Sequence, residues 1–143
     1  MIKIQKVSSD DKQLAEKVFD IRRKVFVEEQ KVDARDEFDE YEDESNHFLL
    51  QLNDKAIGTA RWRHIGDKIK LERFAILKDY RNTGYGNILL SAVLEDVVPH
   101  KKQVYLHAQL KAVPFYERQG FQKQGDMFKE CEIQHYKMLL KEA

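Results

Sequence analysis

Tyr80-Arg81-Asn82-Thr83-Gly84-Tyr85-Gly86-Asn87 separates a strand-like run ending in Phe74-Ala75-Ile76 from a stretch of helical periodicity. In that stretch Ile88, Leu89, Leu90, Val93, Leu94 and Val97 recur on one face until Pro99 stops them. Two of the six glycines, Gly84 and Gly86, lie here one residue apart, where the chain turns sharply and enters a helix. The first N–H groups of a helix have no intrahelical acceptor and carry the positive end of its dipole. With no Cβ in the way they can close around an anion such as a phosphate, and Arg81 adds a fixed positive charge at the mouth. A plain strand-to-helix turn would also use glycine for positive φ. The stretch is not a P-loop, which needs Lys-Ser/Thr after the glycines, and it lacks the third glycine of the dinucleotide fingerprint.

Working outward, Ile2-Lys3-Ile4-Gln5-Lys6-Val7 alternates apolar and polar residues as a half-exposed strand does. Ser8, Ser9 and Asp10 offer capping oxygens for a helix whose apolar face is Leu14, Val18, Ile21 and Val25, running to about Gln30. His47 to Leu52, Ala56 to Arg63 and Ile69 to Ile76 follow as three antiparallel strands joined at Asn53-Asp54 and Gly66-Asp67. Past the glycine turn and its helix, Val104 to Ala108 is strand again. Pro114 and Gly120 bracket a short helix, and Phe121 onward with Ile133 to Leu140 forms a last strand pair. The order β-α-β-β-β-α-β-α-β-β gives an α/β (α+β) fold. Its core is a mixed, largely antiparallel seven-stranded sheet flanked by helices, in one domain over residues 1–143.

The chain has 143 residues and 17.0 kDa, enough to bury a core without disulfides or a structural metal. Its one cysteine, Cys131, excludes an intramolecular disulfide, and no Cys/His cluster has zinc spacing, so no metal is expected. Lys+Arg and Asp+Glu number 25 each, which argues against a nucleic-acid partner. No apolar run approaches membrane-spanning length and the first residues lack a signal-peptide core, so a cytoplasmic protein without a membrane partner is expected. The balance hides an asymmetry. From Glu28 to Glu44 ten acidic residues face only Lys31 and Arg35, a local charge of −8. A solvated acidic loop is the ordinary reading; a field that attracts a cation is the sharper one.

Arg81-x-x-Gly84-x-Gly86 resembles the R/Q-x-x-G-x-G/A motif of the GNAT superfamily of acyl-CoA-dependent N-acyltransferases. Ala112-Val113-Pro114-Phe115-Tyr116-Glu117-Arg118-Gln119-Gly120-Phe121 is similar to that family's A-x-x-F-Y-x-x-x-G-F signature after its fifth strand. The order of elements is also the family's, so the likeness spans nearly the whole chain. Arg23-Lys24-Val25-Phe26-Val27-Glu28-Glu29-Gln30, followed by Ser45-Asn46-His47, further resembles a bacterial branch of small GNAT proteins. One departure is Gln109, where many members carry Asn; its longer amide can still reach the cofactor.

The resemblance implies acyl transfer, most simply acetyl from acetyl-CoA, to an amine of a small molecule or peptide by direct attack in a ternary complex. The pyrophosphate would sit on Asn82, Thr83, Gly84, Tyr85, Gly86 and Asn87, with Arg81 as counter-charge. The pantetheine arm would pair with the strand edge at Phe74, Ala75 and Ile76, near Phe115. Tyr116 matches the tyrosine that protonates the departing thiolate. Glu72 is the candidate base: simple alternation puts it on the same face as Phe74 and Ile76, where partial burial would raise its pKa. A cross-strand pair with Arg61 or Arg73 is the competing role for Glu72. Glu28 and Glu29, ending the first helix, are candidates for the acceptor's ammonium, and the acidic segment lies where the family builds its acceptor side. His47, His107 and His135 sit in strand patterns, where satisfied or solvated histidines are commoner than catalytic ones. Apolar surface left by the opened sheet allows a homodimer. A non-catalytic module that binds CoA or a partner on the same fold, and acylation of a hydroxyl or release of a lactone, remain the alternatives.

Overall fold

The structure is a computed structural model that describes residues 1–8 and 10–141. Ser9, one of the three expected capping residues, lies outside the described residues. The cap is instead Asp11, whose carboxylate accepts from the Leu14 N–H at 3.2 Å. The elements are β1 (Ile2–Val7), α1 (Lys12–Arg22), α2 (Ala34–Glu37), β2 (Asn46–Leu52), β3 (Lys55–Ile65) and β4 (Lys68–Ile76). After the glycine turn come α3 (Tyr85–Val97), β5 (Gln103–Gln109), α4 (Val113–Arg118), β6 (Phe121–Glu130) and β7 (Ile133–Leu140). Seven strands form one sheet in the order β1-β2-β3-β4-β5-β7-β6. Every pairing is antiparallel except β4 with β5, which α3 makes parallel by carrying the chain back between them. No helix among the described residues is long and apolar enough to cross a membrane.

The sheet separates two cores. Trp62, Ile69, Leu71 and Leu106 pack on one face with Leu89, Leu90, Val93 and Val97 of α3 and with Tyr116 of α4. Leu89 and Leu90 are at most 1% exposed, and burial of each leucine contributes about 1.5–3 kcal/mol. On the other face Leu49 and Ala75 pack with Val18, Ile21, Val25 and Phe26. The first helix does not run uniformly to Gln30. Beyond Arg22 it widens into a π-helix over Arg23–Glu29, with Gln30 N–H reaching Val25 C=O five residues back. The wider turn lets Val25 and Phe26 both face the core while Arg22 is fully buried.

Seven of the ten carboxylates from Glu28 to Glu44 are exposed, as in a solvated loop, but Glu37, Asp39 and Glu42 depart from that reading. The stretch from Glu37 to Glu42 folds over the sheet and brings the carboxylates of Glu37, Asp39 and Glu42 to arginines. Arg22 Nε meets Glu37 at 2.9 Å and its Nη atoms meet Glu42 at 2.7 and 2.8 Å. Arg61, on β3 and 1% exposed, meets Asp39 at 2.8 and 2.9 Å, Glu42 at 2.9 Å and Glu72 at 2.9 Å. Arg73 closes the network on Glu37 and Asp39, each at 3.1 Å. Three of the segment's ten carboxylates are thus spent inside the protein, while the other seven stay exposed.

Removing one member of such a network leaves opposite charges buried without a partner. Arg61→Ala is expected to lower the unfolding free energy by about 3–5 kcal/mol in urea titration. A loss below about 1 kcal/mol would mean that Asp39, Glu42 and Glu72 relax into water when it goes.

Candidate active site

β4 and β5 are hydrogen-bonded only at their starts, from Lys68 with Gln103 to Leu71 with Leu106. Beyond Leu71 and Leu106 each keeps its outer neighbour, β4 on β3 and β5 on β7, and the two strands part. A bulge accompanies the parting. Thr59 pairs with Ala75 and Arg61 with Glu72, so Ala60 alone faces both Arg73 and Phe74. Arg73 takes φ 55°, a left-handed conformation that costs a non-glycine residue roughly 1–3 kcal/mol. Its guanidinium bonds to Glu37 C=O and Asp39 Oδ2, at 3.2 and 3.1 Å, hold it there. A bulge bends and twists the strand that carries it.

The bulge also reverses the expected facing of Glu72. Phe74 and Ile76 join Leu71 in the core beneath α3, while Glu72 stays on the opposite face with Arg61. Three further contacts and burial of the side chain decide its chemistry: Arg63 Nε at 2.8 Å, a second Arg61 nitrogen at 3.1 Å and Lys70 at 3.3 Å. Burial works against its charge, but the Arg63 hydrogen bond and the charges of Arg61, Lys70 and Arg63 prevail and hold the carboxyl at about 2. The expected rise of its pKa is thus overturned, and a carboxylate so acidic is a poor proton acceptor at neutral pH.

Between the parted strands lies a cavity of about 760 Å³, within the range of small-molecule sites. Phe74, Ala75 and Ile76 line it from β4, Gln109 from β5, Phe115 and Tyr116 from α4, and Arg81, Asn82, Gly84, Gly86 and Asn87 from the turn. Thr83 and Tyr85 are not among its lining residues. Thr83 Oγ1 donates to Tyr80 C=O at 2.8 Å, and the Tyr85 ring packs edge-on to Tyr80. Gly84, the residue before α3, has φ 91°, and a Cβ there would meet nothing within 4 Å. Conformation requires the first glycine, and the space beside it is open. Gly86 is required by packing, since its Cβ would lie 3.4 Å from the Phe115 ring. The start of α3 thus has open space beside Gly84, where its unpaired N–H groups fit a phosphate. The freed β4 edge and the apolar rings of Phe74 and Phe115 fit the extended amide arm of an acyl-CoA.

Three polar residues stand differently from the sequence expectation. Arg81 is not a bare cation: its Nε donates to Ile76 C=O at 2.8 Å and its two Nη groups clasp Glu29 at 2.6 and 2.8 Å. Glu29 does not itself line the cavity, and the Arg81 hydrogen bond holds its carboxyl below the usual range. Glu28 is exposed and does not line the cavity. Gln109 exchanges hydrogen bonds with Gln30, at 2.7 and 3.3 Å, tying the end of β5 to the end of the π-helix. Asn87 accepts from Gln119 at 2.7 Å. Tyr116 is 8% exposed among Phe74, Phe115 and Phe121, and burial pushes its phenol well above the ordinary value, so it keeps its proton at any physiological pH.

On the face away from α3 the cavity meets residues that the sequence ranked low. His107 immediately follows Leu106, the last β5 residue paired with β4, and its Nδ1 lies 3.0 Å from Glu130 Oε2. His135 Nδ1 meets Ile133 C=O at 2.7 Å. His47 is buried beside the Arg22 network, with Nε2 2.9 Å from Glu42 C=O, outside the cavity. Pairings of β5, β6 and β7 place His107 and Glu130 together, and no local motif could have signalled it.

Comparison with known proteins agrees with this geometry. The family model described as "Acetyltransferase (GNAT) domain" matches residues 8–142. YjcF of Bacillus subtilis, named as an uncharacterized N-acetyltransferase, is 35% identical over 93% of this chain and 96% of its own. YyaT of the same organism, named as an uncharacterized protein, is 41% identical over 82% of each. The crystal structure of Escherichia coli ElaA superposes with a TM-score of 0.88 at 25% identity, covering 99% of this chain and all of that one. The chain belongs to the GNAT acetyltransferase family.

The carboxylates around Arg61 also make a pH prediction. Burial opposes ionisation of Asp39, but its hydrogen bond from Arg61 and the charges of Arg61 and Arg73 bring it to about 2, as Glu72 is. Groups depressed in the folded state stabilise it fully above their unfolded values near 4 and lose that contribution as pH falls toward 2. Glu37, raised because burial outweighs Arg73 and Arg22, acts in the opposite sense. The urea midpoint is therefore expected to hold from pH 7 to about 5 and to fall steeply below about 4; a midpoint flat to pH 3 would contradict the depressed values.

Proposed function

We propose that the protein is an acetyl-CoA-dependent N-acyltransferase, a single domain over residues 1–143 that works in the cytoplasm. It would move an acetyl group to a primary amine of a small molecule or protein by direct attack in a ternary complex. One observation carries the reading: the parting of β4 from β5 opens a cavity beside the N-terminus of α3, where Gly84 leaves open space. The N–H groups from Asn82 to Asn87 would take the pyrophosphate, with Arg81 exchanging its carboxylate partner Glu29 for phosphate oxygens. The β4 edge at Phe74, Ala75 and Ile76 would take the amide arm, and one of its N–H groups would stabilise charge on the thioester oxygen. Such a donor contributes about 3 kcal/mol. Tyr116, kept neutral by burial, would protonate the departing sulfur.

The test is thermal unfolding with and without CoA, on the parent and on Gly84→Arg. Ligand at a hundred times its dissociation constant stabilises by about 2.7 kcal/mol, a rise of roughly 10 °C for a domain of this size. The variant is expected to unfold somewhat earlier by itself, because φ 91° strains a side chain, and to show no rise with CoA. A parent without any shift would sink the reading. Tyr116→Phe separates a catalyst from a binding module: a catalyst loses at least tenfold in kcat at unchanged CoA affinity, whereas a module has no turnover to lose.

A further inference from the structure

Loss of Glu72 as a proton acceptor leaves a gap, because an alkylamine is mostly protonated at neutral pH and must shed a proton before it attacks. We propose that His107, oriented by Glu130, is the general base for the acceptor amine. This inference rests on the acyltransferase reading above.

Position comes first. Leu71 and Leu106 are the last paired residues of β4 and β5, so His107 stands at the apex where the strands part. Leu106 and Ala108 lie in the core beneath α3, which sends His107 to the other face, opposite the glycine turn's helix. There it lines the cavity with Glu130 and His135. A CoA arm entering along the α3 side and an amine entering from the other face would meet at this apex.

Orientation comes second. Glu130, ionised and held below its usual range first by the hydrogen bond to His107, can only accept, so Nδ1 carries the hydrogen. The neutral ring then presents a bare lone pair at Nε2, which has no hydrogen-bond partner among the described residues. The Phe128 ring, 5.0 Å away and nearly perpendicular, and the Tyr105 ring, at 5.9 Å, confine the imidazole further. The charged and titratable groups around it are Lys70 and Glu72 from β4, Glu130 from β6, Cys131 from the hairpin turn, and His135 and Lys137 from β7. Lys70 is committed to Glu72 at 3.3 Å, so Glu130 is the charge bonded to the ring.

R–NH3⁺ gives one proton to Nε2, and the freed nitrogen lone pair forms the C–N bond to the thioester carbonyl carbon. As the C–S bond breaks, its electron pair leaves on sulfur, which takes the Tyr116 proton. The second nitrogen proton restores the tyrosine, and His107 releases the first to solvent.

Two readouts test this. In ¹⁵N spectra of the ligand-free protein, His107 is expected as the Nδ1–H tautomer, with that preference weakened in Glu130→Gln; an Nε2–H tautomer in the parent would overturn the assignment. In turnover of acetyl-CoA with a panel of primary amines, His107→Gln should lower kcat about a hundredfold. It should also lose the acidic limb of the pH–rate profile, while the CoA-induced rise in unfolding temperature stays. Glu130→Gln should lower kcat more than it raises KM, and Glu130→Asp should restore part of it. A His107→Gln enzyme that keeps the limb and at least a third of the rate would refute the base and spare the acyltransferase. A parent that binds CoA but acetylates no amine would refute the acyltransferase reading, and the base with it.

Discussion

The molecule depends on a pairing that stops. β4 and β5 share only four residue pairs, and the remainder of each strand is satisfied from its outer side alone. A buried strand edge with unpaired N–H and C=O groups is unfavourable in an ordinary core. Here the inner edges face a cavity, where an extended amide chain can complete them. The bulge at Arg73 and Phe74 supplies the bend, and its strained φ survives because Glu37 and Asp39 hold the Arg73 guanidinium. The acidic segment, the bulge and the cavity are in this sense one construction. Carboxylates brought in by the loop after α1 sustain a backbone conformation on β4, and that conformation opens the sheet.

The same network sets the electrostatics around the site. Arg61 lies at its centre and draws Asp39 and Glu42 from the loop before β2 together with Glu72 from β4. Because Glu72 is spent there, it stays charged and bonded rather than exchanging protons. Glu29 is spent likewise on Arg81. The remaining polar groups divide between the two faces of the cleft: free N–H groups and a clasped arginine on the α3 side, histidines and Glu130 on the other. Tyr116 stands on α4 against Phe74, its proton retained by an apolar setting.

Much of this was legible in the residues. The order of strands and helices follows from periods of two and of about 3.6, and from Pro99, Pro114 and Gly120 as punctuation. The glycine turn was legible because Gly84 and Gly86 answer local demands, one for positive φ and one for close packing against Phe115. The bulge was not, because Arg73 adopts a left-handed φ without the glycine or asparagine that usually marks one. One unsignalled residue then turned Glu72 to the opposite face from Phe74. The π-helical turn before Gln30 escaped for a similar reason, since Val25 and Phe26 fit an α-helical stripe equally well.

The sequence by itself determined the family, the element order, the glycine turn and the tyrosine beside it, because each rests on neighbours along the chain. Only the tertiary structure decided which charges cancel. Glu72 meets Arg61 across a strand pair, Glu29 meets Arg81 from 52 residues away, and Glu130 of β6 meets His107 of β5 across β7. Whether a carboxylate binds, buffers or catalyses depends on the cations and the water around it, and those are set by what the fold brings within about 4 Å.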